Sequence, residues 1–117
     1  MSRVVKIQRN GGEHWDVYVG REFRKWGYNF DASPWGNPFF LHGEDTRDDI
    51  LQKYETYIRE RLLKEPALFE QFLDLRGKTL GCWCKPKPCH GDVLVKIMRE
   101  LEAEVLARMA SSPSARQ

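Results

Sequence analysis

Residues 81–94 read Gly-Cys-Trp-Cys-Lys-Pro-Lys-Pro-Cys-His-Gly-Asp-Val-Leu, and they constrain the fold more tightly than any other stretch. Lys78–Cys84 has the makeup of a strand. Pro86 and Pro88 end it, because proline has no N–H to offer a ladder. From about Cys89, apolar residues at Val93, Leu94, Ile97, Met98, Leu101 and Val105 recur at helical spacing to about Arg108. The chain must therefore turn from strand to helix across a proline-stiffened corner. All three cysteines and one of the three histidines fall on that corner, between Cys82 and His90. Such a concentration of soft-ligand and nucleophile chemistry marks a site.

The remaining elements are few. Val4–Arg9 and Trp15–Gly20 read as short strands; in the second, Trp15, Val17 and Val19 alternate with Asp16, Tyr18 and Gly20. Asn10-Gly11-Gly12 between them is a turn sequence and predicts a hairpin. Residues 21–45 carry no helical pattern but hold Phe23, Trp26, Tyr28, Phe30, Trp35, Phe39 and Phe40. A long irregular segment that is this aromatic predicts a functional loop rather than a disordered one.

Thr46 with Asp49 three residues on is a capping box, and it opens a helix near 46–63. Ile50, Leu51, Tyr54, Tyr57, Ile58 and Leu62 form its apolar face. Pro66 suits the first turn of a second helix, near 66–75, with Leu68, Phe69, Phe72 and Leu73 apolar and Gly77 as its stop. With the last helix near 90–108, the pattern predicts an α/β fold: a small sheet of about three strands packed against about three helices. At 117 residues the chain is expected to form one domain over 1–110, with 111–117 a disordered tail.

The net charge of +2 carries no strong field for nucleic acid or membrane. No apolar run predicts a signal peptide or a transmembrane helix. An odd number of cysteines builds no disulfide framework, so a cytoplasmic setting with free thiols is expected.

Strand alternation puts Cys82 and Cys84 on one face and Trp83 on the other. Three readings of the cluster compete. Cys82, Cys84, Cys89 and His90 are a chemically good zinc set, although four ligands within nine residues strain the chain, and neighbouring Cys89 and His90 are awkward as joint ligands. In the second reading the last helix offers unpaired N–H groups and partial positive charge at its start. These favour an anion and a Cys89 thiolate. Lys85 and Lys87 add charge, His90 serves as acid or base, and Asp92 orients it or shares that role. In the third, the cysteines only pack and His90 and Asp92 only serve the helix end; for Cys82 alone, packing is the better reading.

Arg21, behind Gly20 at the end of the second strand, has the geometry for a bidentate contact to phosphate or carboxylate. Asn37, in the rigid turn Ser33-Pro34-Trp35-Gly36-Asn37-Pro38-Phe39, can tie down the loop or donate to a ligand. Trp26 beside Arg24 and Lys25 forms a small basic-aromatic patch suited to a nucleobase.

Gly20-Arg21, Gly36-Asn37-Pro38-Phe39, Leu75-Arg76-Gly77-Lys78-Thr79-Leu80 and Gly81-Cys82-Trp83-Cys84 through Pro88-Cys89-His90-Gly91-Asp92-Val93-Leu94 together resemble the family called domain of unknown function 4326. That family is small, found in bacteria and their phages, and marked by Asn-Pro-Phe and Gly-Cys-Trp-Cys motifs. The resemblance spans about residues 15–100 and implies a shared site without implying a reaction. The loop at Tyr28–Ala32 is long for the family.

The leading expectation is a site for a nucleotide or another phosphate-bearing small molecule. Cys89, His90 and Asp92 would be its reactive groups, and Arg21, Asn37, Cys84 and Lys85 its binding groups; whether it is an enzyme stays open. The first alternative is a zinc-stabilised interaction module using Cys82, Cys84, Cys89 and His90. The second is a nucleic-acid accessory protein.

Overall fold

The structure, a computed structural model, describes residues 2–8, 12–40, 43–83 and 87–111. Three strands and three helices follow in the order β1 (Arg3–Lys6), β2 (Val17–Tyr18), α1 (Arg47–Lys64), α2 (Pro66–Leu73), β3 (Thr79–Cys82) and α3 (His90–Ser111). They make a small α/β domain, as the sequence pattern predicts. Of the tail, Ser111 still belongs to α3, and 112–117 lie outside the described residues.

The predicted hairpin does not form. The sheet order is β1-β3-β2, and both outer strands run parallel to β3. Val4 and Val17 both stand opposite Leu80, and Val5 and Tyr18 both stand opposite Gly81. Alternation identifies a strand but says nothing about its partner. Strand β3 is the most buried of the three, with Leu80, Gly81 and Cys82 all inaccessible. Such a strand belongs in the middle of a parallel sheet, where both edges are paired and both faces covered. Asn10 and Gly11 of the expected turn lie outside the described residues.

The two faces of β3 meet different layers. Leu80 and Cys82 point into the core, among Val19, Tyr54, Ile58, Phe72, Leu94 and Met98. Gly81 faces the other way, where the Trp15 ring lies against the strand; a Cβ on Gly81 would come within 2.8 Å of that ring. Trp83, of the same parity, joins the aromatic residues on this side, with its ring centroid 4.5 Å from Phe23 and 5.5 Å from Tyr28.

Local chemistry sets the helix limits. Thr46 and Asp49 complete the capping box, the Thr46 hydroxyl accepting from the Asp49 N–H at 3.1 Å and the Asp49 carboxylate accepting from the Thr46 N–H at 2.8 Å. Pro66 occupies the first position of α2, where its missing N–H costs nothing. Beyond α2, Gly77 takes φ +80°, which favours glycine. Ser2 fastens β1 to this corner: its hydroxyl donates to the Leu75 carbonyl at 2.7 Å and accepts from the Gly77 N–H at 3.1 Å. Tyr54 donates to the Trp35 carbonyl at 2.7 Å in the interior and ties the aromatic loop to α1.

That loop is more regular than its sequence indicates. Phe23 and Phe30 exchange two backbone hydrogen bonds around a tight turn, where Trp26 and Gly27 have φ +54° and +82°. Positive φ at both central residues is the mark of a type I′ hairpin turn. Gly81→Ala should destabilise the protein by roughly 1–3 kcal/mol, the usual range for forcing extra volume into a packed site. Chemical denaturation checks this; an unchanged midpoint would mean that Trp15 does not pack on β3.

Candidate functional site

The carboxyl ends of β2 and β3 face the start of α3, the usual place for a ligand crevice in a parallel sheet. A cleft of about 540 Å³ opens there. Its buried floor is Cys82, Cys89 and His90. Tyr18, Phe23 and Trp83 line it from the aromatic layer, and Phe39, Phe40, Ile50 and Leu51 from the loop and α1. Arg21, Glu22 and Arg47 complete the lining.

Cys89 immediately precedes the first residue of α3. The Asp92 carboxylate accepts from the Cys89 N–H at 3.0 Å, while the Asp92 N–H donates to the Cys89 carbonyl at 3.0 Å. The Cys82 thiol donates to the Cys89 sulfur, with the two Sγ atoms 3.2 Å apart. This bond lowers the pKa of Cys89 most. Burial and the charge of the Asp92 carboxylate oppose the effect, and the N–H groups of Asp92 and Gly91 add to it. The arrangement favours a thiolate at Cys89 more than an ordinary buried cysteine would.

His90 is pinned across the gap to β2, its Nε2 lying 2.5 Å from the Val19 carbonyl. A carbonyl only accepts, so Nε2 carries the proton and, in the neutral ring, Nδ1 holds the lone pair. Burial is the main cause that lowers the pKa of His90; the Val19 bond works against it, and the charge of Arg21 works with it. Sγ of Cys82, Sγ of Cys89 and a ring nitrogen of His90 all lie within 4.8 Å of one another.

Arg21 clamps the loop over the cleft. Its Nε donates to the Asn37 carbonyl at 2.5 Å and its Nη2 to the Phe39 carbonyl at 2.7 Å. Its guanidinium stacks 3.9 Å from the centre of the Phe40 ring. Asn37 is buried, and its side-chain oxygen accepts from the Phe39 N–H at 2.9 Å. Arg47, at the start of α1, donates to the Pro88 carbonyl at 3.3 Å. Among the described residues, no carboxylate pairs with Arg21 or Arg47.

The structure thus brings Arg21, Asn37, Cys89 and His90 to one cleft. Asp92 is not part of the lining and caps the helix behind Cys89. Cys84 and Lys85 lie outside the described residues. Cys82, read from the sequence as packing, is buried but also lines the cleft beside Cys89. Arg47, Tyr18, Phe23, Trp83 and Phe40 were missed as lining residues. The one local signal for Arg47 was its place just after the capping Thr46.

Comparison with known proteins settles the kinship. The profile of a domain of unknown function, 4326, matches residues 5–100. The chain belongs to that family. An uncharacterised protein of Acanthamoeba polyphaga mimivirus is 32% identical over 110 residues, covering 85% of this chain and 81% of its own length. An uncharacterised 12.4 kDa protein of Enterobacteria phage T4, from the nrdA-td intergenic region, is 35% identical over 69 residues, covering 57% of this chain and 61% of its own. No solved structure matches the chain significantly. Among the described residues, no helix of this family member is long and apolar enough to cross a membrane.

The buried His90 gives the fold a pH signature. Its folded pKa is depressed, so the unfolded chain takes up the proton first as pH falls. The contribution of a neutral His90 is complete above the unfolded value of about 6.5 and is lost as pH drops through the lower folded value. Asp16, Asp49, Glu55 and Glu65 also have lowered values, but they act in the carboxylate range below that window. Thermal midpoints should therefore begin to fall between pH 7 and 5 in the wild type, and much less so in His90→Gln. Equal pH dependence in both proteins would contradict this.

Proposed function

We infer that the cleft binds a nucleotide or another phosphate-bearing small molecule, with Cys89 as the reactive group and His90 assisting. The observation that carries the reading is the combination in one cleft of a thiol at a helix start with two guanidinium groups that have no carboxylate partner among the described residues. An anion held by Arg21 and Arg47 would meet the positive end of α3. The aromatic lining suits the planar part of such a ligand. Asn37 supports the ligand indirectly, by shaping the segment that Arg21 clamps. Asp92 acts by fixing Cys89 at the helix start. Cys84 and Lys85 stay in the proposal by sequence position alone.

A thermal-shift screen of nucleotides, sugar phosphates and inorganic phosphate tests it. A ligand at 100 times its Kd stabilises the fold by about 2.7 kcal/mol. Arg47→Gln should weaken the responding ligand roughly tenfold or more, since a hydrogen bond to a charged group is worth about 1.5–3 kcal/mol. Cys89→Ala should keep the fold and lose turnover, or lose binding if the sulfur contacts the ligand. No response to any phosphate compound, or unchanged binding and turnover in both variants, would sink the reading.

One observation favours a second reading, a zinc-stabilised interaction module. It is the convergence of Cys82, Cys89 and His90 within 4.8 Å, with Cys84 as the fourth ligand expected from sequence. A neutral histidine whose other nitrogen is hydrogen-bonded to a carbonyl is the form that binds metal. This reading predicts one zinc per chain in the purified protein and unfolding on chelation. Metal-free protein that stays folded would exclude it.

A further inference from the structure

The two sulfurs on the cleft floor point to a chemistry that ligand binding does not require. We propose that Cys82 and Cys89 are a redox-active dithiol that exchanges with small disulfides and closes into an intramolecular disulfide.

Three features of the fold support it. First, Cys82 ends β3 and Cys89 immediately precedes α3, and their two Sγ atoms lie 3.2 Å apart. A disulfide bond is about 2.0 Å long, so closure needs an approach of only about 1.2 Å. Second, the two sulfurs are not equivalent. Cys82 donates its S–H to Cys89, and Cys89 sits where the first N–H groups of α3 point. Cys89 is therefore the attacking sulfur and Cys82 the resolving one. Third, both line the cleft although each is only 1% exposed. A small disulfide can reach them through the cleft, whereas a folded partner protein cannot press against them.

The steps balance. The Cys89 thiolate attacks one sulfur of a low-molecular-weight disulfide, whose S–S bond breaks and releases one small thiolate. Cys82 then gives up its proton and attacks the Cys89 sulfur of the mixed disulfide, releasing the second small thiol. Two protein thiols are oxidised to one disulfide, one small disulfide is reduced to two thiols, and the two protons end on the released thiols. The closed bond removes the Cys89 thiolate from the cleft. Oxidation would therefore also switch off any reaction that uses this thiolate, but the dithiol does not depend on that reaction.

The test uses the full chain and no phosphate ligand, so its outcome is separate from that of the ligand screen. Protein carrying Cys84→Ser is equilibrated across ratios of oxidised to reduced glutathione, trapped with an alkylating agent and mapped by peptide mass spectrometry. The proposal predicts two alkylated thiols at the reducing end, none at the oxidising end, and a Cys82–Cys89 linkage between. Cys82→Ser should stop the reaction halfway, with glutathione held on Cys89. Cys89→Ser should yield neither product, and circular dichroism confirms that both variants fold. The proposal is overturned if the Cys84→Ser protein keeps two alkylatable thiols throughout, or if its thiols oxidise only after zinc is stripped. A wild-type bond that pairs Cys84 in place of Cys82 or Cys89, or an adduct on Cys82 rather than Cys89, would also overturn it.

Discussion

Strand β3 is hydrogen-bonded on both edges, to β1 on one side and β2 on the other. A strand bonded on both edges must have both faces covered, and the sequence Thr-Leu-Gly-Cys meets that need in two ways. Leu80 and Cys82 enter the helical core, while Gly81 leaves room for the Trp15 ring on the opposite face. Because both neighbours are parallel to β3, the ends of β2 and β3 open on the same side, where α3 begins. The cleft is a consequence of that polarity.

Side chains then join pieces that the sheet only brings near. His90 bonds α3 to the Val19 carbonyl at the end of β2, and Arg21 holds the carbonyls of Asn37 and Phe39. Arg47 reaches Pro88 from α1. Ion pairs such as Arg59–Glu100 and Lys96–Glu55 also link α1 to α3, but they are solvated and worth little individually. The buried His90 bond, the hydrogen bonds of Arg21 and Arg47, and the packing around them fix the cleft. Its polar groups therefore serve twice, as structural ties and as the chemical lining of a site.

Much of the fold was legible in the sequence because it rests on local signals. The Thr46–Asp49 box, Pro66, Gly77 and the apolar periodicity of 93–98 each act within a turn or two of helix, and the structure follows them; Val105, which the same periodicity puts on the apolar face, is exposed. Strand pairing was not legible. The alternation in 15–20 identifies a strand, but an Asn-Gly-Gly turn cannot reveal that a segment more than sixty residues later will come between the two strands. The candidate cleft was legible as a place and less so in its lining. Strand parity put Cys82 and Trp83 on opposite faces. The closeness of Cys82 to Cys89 is a contact between two elements, which no periodicity encodes. Arg47 carried only its place just after the capping Thr46, and a charged residue in the first turn of a helix is ordinarily a solvated one.

In the proposed site a Cys89 thiol of lowered pKa meets a phosphate-bearing ligand. Site-resolved alkylation measures this most directly: the rate at which Cys89 reacts with iodoacetamide as pH is varied, with and without a nucleotide that shifts the melting temperature. Cys89 should react with a pH midpoint below that of an ordinary cysteine, and the bound ligand should slow it. A Cys89 that stays inert up to the ordinary thiol range, or reacts at the same rate with the ligand bound, would contradict it.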